Sequence, residues 1–242
     1  MFGNLTLNQE AMNENSDRLG GGFQLFKSDI YRAKVEVAYA TKSANGAMGL
    51  VVKFNVYIEG ESKPRLYTQT FWLSNRQGQT FYVDKEGKSQ NLAGFNHANH
   101  LTALCCNKSI NEIATEERQI KLYNAEAKKE ILTAVPCLVD LTGCEVGLAI
   151  IQRRVNKQEK STSTGEYENT PEERFINEID KIFAINGNMA WTFDERRNNL
   201  PAEFAIKWLD RWKDKVDDRY VEVKNSRSSG QVGTSTNKLA IG

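Results

Sequence analysis

The run Leu50-Val51-Val52-Lys53-Phe54-Asn55-Val56-Tyr57-Ile58-Glu59 decides the fold class. Leu50, Val52, Phe54, Val56 and Ile58 alternate with Val51, Lys53, Asn55, Tyr57 and Glu59, and a two-residue period puts each set on its own face of a strand. The first set is wholly apolar and the second is mixed, the pattern of a strand with one face in a core and one toward water. Upstream, residues 30–40 repeat it, with Tyr31, Ala33, Val35, Val37 and Tyr39 on one face and Arg32, Lys34 and Glu36 on the other. Asn45-Gly46 between the two runs is a hairpin signal. Downstream, Gly60-Glu61-Ser62-Lys63-Pro64 turns the chain into a strand over 65–73. That strand offers Arg65, Tyr67, Gln69, Phe71 and Leu73 on one side and Leu66, Thr68, Thr70 and Trp72 on the other. A short strand over 80–84 follows Arg76-Gln77-Gly78, and Lys85-Glu86-Gly87-Lys88 closes another turn. Short strands with glycine-bearing turns at this spacing predict an antiparallel meander curled into a small barrel.

Further along, the alternation is lost over 95–106, which reads as a helix with Phe95, Ala98, Leu101, Ala103, Leu104 and Cys105 toward a core. Residues 118–123 and 131–135 read as paired strands joined by 124–129, and 144–155 as a last strong strand running into a polar loop over 158–165. Beyond Pro171 the pattern is less regular, until Trp208 and Trp212, four apart, mark a helix within 202–216. The polar start ends in Gly20-Gly21-Gly22 and reads as a flexible arm, and the Ser/Gly/Thr/Asn-rich end reads as a disordered tail. The expected division is an arm over 1–22, a main domain over 23–185, a helical extension over 186–224 and a tail over 225–242. No internal repeat is present.

The 242 residues carry 32 Lys+Arg against 31 Asp+Glu, a net charge of +1, with 40% hydrophobic residues, so a soluble globular chain with a sizeable core is expected. No apolar run is long enough to span a membrane, and Met1-Phe2-Gly3-Asn4-Leu5-Thr6 lacks the basic and apolar regions of a secretion signal. Four cysteines, two of them the adjacent Cys105-Cys106, do not look like a disulfide framework. A cytoplasmic location, that of the host cell if the chain is phage-encoded, is expected. Near-neutrality hides an uneven distribution. Residues 27–88 hold 10 basic and 6 acidic groups, 150–160 hold 4 and 1, and 166–185 reverse to 2 and 6. A polyanion responds to the basic face rather than to the total.

Enzyme constellations are missing. There is no phosphate-binding loop, nucleophile elbow or dinucleotide fingerprint, and His97 and His100 are the only histidines. Adjacent acids such as Glu116-Glu117 and Asp217-Asp218 splay apart and read as solvated surface. His97, His100, Cys105, Cys106, Cys137 and Cys144 lack the paired spacings that announce zinc, and core packing is the better reading for the thiols. No catalysis, metal or cofactor is expected.

What stands out is aromatic residues interleaved with basic ones on predicted strands. Lys34, Lys53, Tyr57, Arg65, Tyr67, Phe71, Arg76, Tyr82, Arg153 and Arg154 lie on or beside strands whose opposite faces are apolar. Single-stranded nucleic acid asks for such a surface: cations track phosphates, and rings stack on unpaired bases at about 1–3 kcal/mol each. Barrels of the OB type present grooves of this kind. Tyrosine and phenylalanine also favour strands whatever they bind. Parity leaves two faces open on residues 65–73: the side with Arg65, Tyr67 and Phe71 is favoured for its charge, and Trp72 is the platform if the other side faces out.

The order of segments resembles the single-stranded DNA-binding proteins encoded by tailed bacteriophages. The resemblance rests on Asp17-Arg18-Leu19-Gly20-Gly21-Gly22, on Ala38-Tyr39 with Lys42-Ser43 and Gly46-Ala47, and on Tyr82-Val83-Asp84-Lys85-Glu86-Gly87-Lys88. Asn91-Leu92-Ala93-Gly94-Phe95 and Asn177-Glu178-Ile179-Asp180-Lys181-Ile182-Phe183 also fit. These short motifs cover roughly residues 15–185 and persuade together more than singly. The resemblance implies an OB-fold-based protein that coats exposed DNA during phage replication, recombination and repair, with replication or recombination proteins as partners. One departure is the tail: many single-strand binders end in an acidic tip, whereas this chain ends Lys238-Leu239-Ala240-Ile241-Gly242. The acidic stretch over 166–180 or the Trp208/Trp212 helix is the substitute expected for recruiting partners.

The expected fold is therefore mainly β with α additions (α+β), an OB-type antiparallel β-barrel with an inserted helix and a C-terminal helical extension. The expected phosphate contacts are Arg32, Lys34, Lys53, Arg65, Arg76, Arg153, Arg154 and Lys157, and the expected stacking residues are Tyr57, Tyr67, Phe71, Trp72 and Tyr82. The rivals are a non-catalytic protein-docking module anchored by Trp208 and Trp212, and a metal-dependent nuclease, which lacks paired carboxylates at strand ends.

Overall fold

The structure, a computed structural model, describes residues 24–124, 126–162 and 165–223. The expected arm over 1–22 and tail over 225–242 lie outside them. Eleven strands form among the described residues: β1 (Asp29–Lys42), β2 (Met48–Val56), β3 (Arg65–Trp72), β4 (Phe81–Val83), β5 (Ser89–Asn91), β6 (Glu116–Asn124), β7 (Lys129–Cys137), β8 (Glu145–Lys160), β9 (Tyr167–Asn186), β10 (Met189–Trp191) and β11 (Val216–Asp218). The helices are α1 (Ala93–Cys106), α2 (Phe193–Arg197) and α3 (Phe204–Trp212). The chain is mainly β, with few helices.

One large sheet runs in the order β10-β9-β8-β1-β2-β3, with β7 branching from β1 to carry β6, and β11 lying parallel to β8. A closed barrel does not form. The edges β3 and β9 approach each other, yet side chains rather than a backbone ladder span the gap. Tyr67 Oη donates to the Asn177 carbonyl at 3.0 Å, and the Asn177 amide exchanges 2.8 Å bonds with the backbone N–H and C=O of Phe26. Helix α1 fills the remaining space, packing on both β3 and β9.

The core follows the period-two pattern. Leu50, Val52, Phe54 and Val56 point inward and meet Val146, Leu148 and Ile150 of β8, Leu101 of α1, and Tyr67 and Phe71 of β3. The register Tyr67↔Phe54 and Phe71↔Leu50 fixes which side of β3 is inside. In β1 the even alternation over 30–40 is broken. Pairing steps from Val35↔Phe54 to Val37↔Lys53, so Glu36 is an extra residue, a bulge. Val37 and Tyr39 therefore turn to the outer face, where Tyr39, Val51 and Cys137 make a second small core under the β6–β7 hairpin.

Strand β9 replaces the irregular stretch expected beyond Pro171, and β8 extends into the expected polar loop to Lys160. The alternation is invisible there for a physical reason. At Val146–Ile151 and Ile182–Ala184 both faces are covered, one by the main core and the other by α3 through Ala205 and Trp208. The outer ends of β8 and β9 form a ribbon with both faces largely toward water, so polar residues predominate on both faces.

Two glycines set how the elements touch. A Cβ on Gly94 would lie 2.4 Å from the Trp72 carbonyl oxygen, so the first turn of α1 rests on the end of β3. A Cβ on Gly49 would lie 2.9 Å from Cε3 of Trp72, so that indole lies against bare backbone. Across a cleft from the start of α1, Glu195 joins two helix starts. Its carboxylate accepts from the Thr192 N–H in a capping box on α2 and from the Glu203 and Phe204 N–H groups ahead of α3. Burial raises its pKa, but these backbone donors outweigh burial and hold it below the usual carboxylate range.

Candidate nucleic-acid interface

The outer face of β1–β2–β3 is the surface on which rings and free cations meet. Rows across it follow the register: Lys34 beside Asn55 and Leu66, Val37 beside Lys53 and Thr68, Thr41 beside Gly49 and Trp72. Trp72 is 44% exposed and Tyr57, one residue past β2, is 43% exposed. Lys34 and Lys53 form no ion pair among the described residues. Lys53 stands between the neutral Val37 and Thr68, and Lys34 has Asn55 on one side and Glu145 of β8 in register on the other.

A finger rises beside this face. The chain leaves β3 at Trp72, forms the isolated β4–β5 hairpin and returns to α1 at Gly94, against the Trp72 backbone. Its turn is held by Asp84, whose Oδ1 accepts the Glu86 and Lys88 N–H groups at 3.0 and 2.9 Å. The Lys88 backbone bond, with that of the Gln90 amide, lowers the Asp84 pKa. A Leu92 N–H to Thr80 C=O bond of 2.9 Å closes the base. Phe81, Tyr82 and Val83 are all exposed on this finger, and Arg76, Lys85 and Lys88 make no ion pair among the described residues. Phe81, Val83, Lys85 and Lys88 are not among the residues expected from sequence. The signal for Phe81 and Val83 was a Phe-Tyr-Val run between two turns, which reads equally well as a buried strand, and that for Lys85 and Lys88 was the turn that follows it.

The remaining expected residues divide. Tyr67 and Phe71 are 7% and 3% exposed, so neither offers a ring face to a base, and the choice between the two sides of β3 falls to Trp72. Burial also pushes the Tyr67 phenol far above its usual pKa, as for a hydroxyl sealed in a core. Arg65 lies against Glu61 in a two-pronged ion pair and extends over the Phe26 ring. Arg32 lies 4.0 Å from Glu145, with half of its side chain exposed.

The basic cluster on β8 is spoken for. Arg153 pairs with Glu178 and with Asp217 at 2.9 Å, with its side chain 13% exposed. Arg154 pairs with Glu173 at 2.6 Å and Asp218 at 3.0 Å and stacks over Tyr220. Lys157 pairs with Glu172 at 2.9 Å and Glu159 at 3.2 Å. The carboxylate hydrogen bonds raise the pKa of Arg154, through Glu173 then Asp218, and of Lys157, through Glu172 then Glu159. These three cations cross-link β8 to β9 and β11, and the phosphate role expected of them has no free charge behind it. Sequence spacing did not show this, because all of these acids except Glu159 arrive from residues 15 to 64 positions away in the chain.

The histidines and thiols take packing positions. His97 Nε2 is 2.9 Å from the Asp180 carbonyl, and His100 stacks on Phe193 with ring centroids 4.9 Å apart. Both pKa values are lowered, chiefly by burial. Cys106 Sγ reaches the Asp140 carbonyl at 3.5 Å, and Cys105 packs against the core. Among the described residues no group of three His, Cys, Asp or Glu side chains is placed to hold a metal ion. Trp208 is buried and donates its indole N–H to Asp180 at 2.7 Å, which removes it as an anchor for a docked protein. A cleft of about 600 Å³ opens between α1, β9, α2 and α3, lined by His100, Lys181, Phe193, Leu200 and Phe204.

Compared with known proteins, the chain matches no family model, no curated protein and no solved structure. No helix among the described residues is long and apolar enough to cross a membrane.

Proposed function

We propose that the chain binds single-stranded DNA without catalysis and without regard to base sequence, using the outer face of β1–β2–β3 and the β4–β5 finger. The observation that carries this reading is the exposed Trp72 ring on the Gly49 backbone, with unpaired Lys53 and Lys34 on the same face and Tyr82 and Phe81 on the finger at its base. Rings of this kind stack on any base, and a few unpaired cations follow the phosphates.

The strand order supports an OB-type architecture as the finer description. Strands β3-β2-β1 form a meander, a helix crosses after β3, and β8 and β9 continue the sheet beyond β1. An OB barrel uses the face of its second and third strands for oligonucleotides, and β2–β3 is where Trp72 and Lys53 lie. The bacteriophage resemblance assigns this binding to the coating of DNA during replication, recombination and repair in the host cytoplasm, beside replication or recombination proteins.

Intrinsic-fluorescence titration with poly(dT) against duplex DNA of equal length tests the reading. Saturable quenching by the single strand, weakened by added salt and absent in Trp72→Phe, is expected. No response to poly(dT) overturns it in favour of a protein-docking role, and strand loss on adding Mg2+ overturns it in favour of a nuclease.

A further inference from the structure

Strand β6 has a hydrogen-bonded neighbour on one side only. Among the described residues it pairs with β7 over its full length, from Glu116↔Cys137 to Asn124↔Lys129, and with nothing else. The hairpin is seated on the outer face of β1–β2 by Ile120, Leu122 and Val135. The other side of β6 is a nine-residue row of backbone groups facing away from the sheet, with Tyr123 and Leu132 exposed beside it. Proteins usually guard such an edge with charges that repel a second copy, with proline or with a bulge. β6 is Glu-Glu-Arg-Gln-Ile-Lys-Leu-Tyr-Asn, it has no proline, and its register with β7 is unbroken.

We infer that β6 is a self-pairing edge through which two copies of this chain associate as an antiparallel dimer. Symmetry restricts the register. A two-fold axis perpendicular to an antiparallel pair sets residue i opposite residue j of the copy, both on the same face, so i and j have the same parity. Centring on Lys121 sets Lys121 against its own copy, and centring on Arg118 does the same with Arg118; like charges directly opposed are destabilising. Centring on Ile120 opposes Glu117 to Tyr123 and Gln119 to Lys121, with no opposite-charge pair. Centring on Gln119 sets Glu117 opposite the copy's Lys121, twice by symmetry, on the face that carries Tyr123. Glu117 and Lys121 make no ion pair within the chain among the described residues, so both are available. Opposite charges placed symmetrically about one central residue are self-complementary, and that is what selects a second copy as the occupant.

The inference goes beyond DNA binding and is tested with no DNA present, so its failure leaves the proposed interface standing and the reverse also holds. Sedimentation equilibrium of the full chain is run up to about 100 μM, with circular dichroism of every variant as a check on folding. Glu117→Lys and Lys121→Glu each place two like-charge pairs across the axis and are expected to weaken dimerisation by roughly tenfold or more. The first variant carries lysine at both positions and the second carries glutamate at both. An equimolar mixture of the two therefore sets two lysines of one chain against two glutamates of the other and is expected to restore the dimer as a mixed species. The double variant E117K/K121E is expected to dimerise like the parent. A parent chain that stays monomeric throughout overturns the inference. So do single variants that associate as tightly as the parent, or a mixture that associates no better than its parts.

Discussion

The indole of Trp72 lies on the backbone of Gly49, so close that a Cβ there would stand 2.9 Å from Cε3 and 3.1 Å from Cζ3 of the ring. A side chain at position 49 lifts the ring off the sheet, since the Thr41 methyl at 3.1 Å blocks the other way out. Trp72→Ala is expected to lower single-strand affinity by about 1–3 kcal/mol, the worth of one stacked base. Gly49→Ala is expected to lower it in the same direction and by no more, about 1 kcal/mol, without touching any DNA-binding group. Strand propensity alone favours alanine over glycine by about 0.5–1 kcal/mol, so a Gly49→Ala chain that is more stable and binds as the parent does excludes this seating. Gly94→Ala meets the Trp72 backbone instead of a ring that can swing away, and its expected effect is on urea stability first.

Free and paired cations respond differently to salt. For a single strand, each phosphate that a protein cation neutralises adds about 0.7 to the slope of log affinity against log salt. Lys34→Gln, Lys53→Gln and Arg76→Gln are each expected to flatten that slope by about this amount. Arg154→Gln and Lys157→Gln are expected to leave it unchanged, because Glu173, Asp218, Glu172 and Glu159 already hold those charges. Equal flattening by all five places the DNA along the β8–β9 ribbon instead.

Inside the sheet, Phe71 and Tyr67 are stability residues. Phe71→Ala is expected to cost about 3–5 kcal/mol, read as a lower urea midpoint. Tyr67→Phe loses the bond to the Asn177 carbonyl and is expected to cost about 1 kcal/mol, loosening the join between β3 and β9. DNA affinity under conditions where each variant is fully folded is expected to match the parent. A folded Tyr67→Phe protein with intact stability and weakened DNA binding assigns this tyrosine to the interface after all.

The same two tyrosine and phenylalanine positions mark how far the sequence could be read. Alternation over 50–59 identified β2 and its inward face because one side of it is free of charge, and the turns at Asn45-Gly46 and over 60–64 placed its neighbours. On β3 one side carries the rings of Tyr67 and Phe71 and the other that of Trp72, each among polar groups, so local pattern does not separate them. Only the pairing of Tyr67 with Phe54 does. The Glu36 bulge is likewise a product of pairing, and it moves Val37 and Tyr39 to a face that strict alternation denies them. Strand β9 is hidden in the sequence because burial on both faces at one end and exposure on both at the other each erase a period of two. Lys34, Lys53, Trp72, Arg76 and Tyr82 were legible as surface chemistry. The commitment of Arg153 to Glu178 and Asp217 was not, since it depends on three segments meeting.

Acidification separates the histidines from the carboxylates. His97 and His100 are the chain's only histidines, and burial holds both below the ordinary value of 6.5. A native histidine of lowered pKa refuses a proton that the unfolded chain accepts. Stability is therefore full above about pH 6.5 and declines as the pH falls below it, until the folded-state pKa is reached. The lowered carboxylates Asp84, Asp218 and Glu195 begin to lose their contributions only below their ordinary values of 3.8 to 4.5. A melting temperature that falls between about pH 6.5 and pH 5 thus reports the histidines alone. Replacing both, His97 by Gln to keep a donor toward the Asp180 carbonyl and His100 by Phe to keep the stack on Phe193, is expected to level the profile in that window. A parent profile already level there shows that protonation of these rings is tolerated in the folded state, and the packing of α1 against β9 and α2 then does not depend on their neutrality.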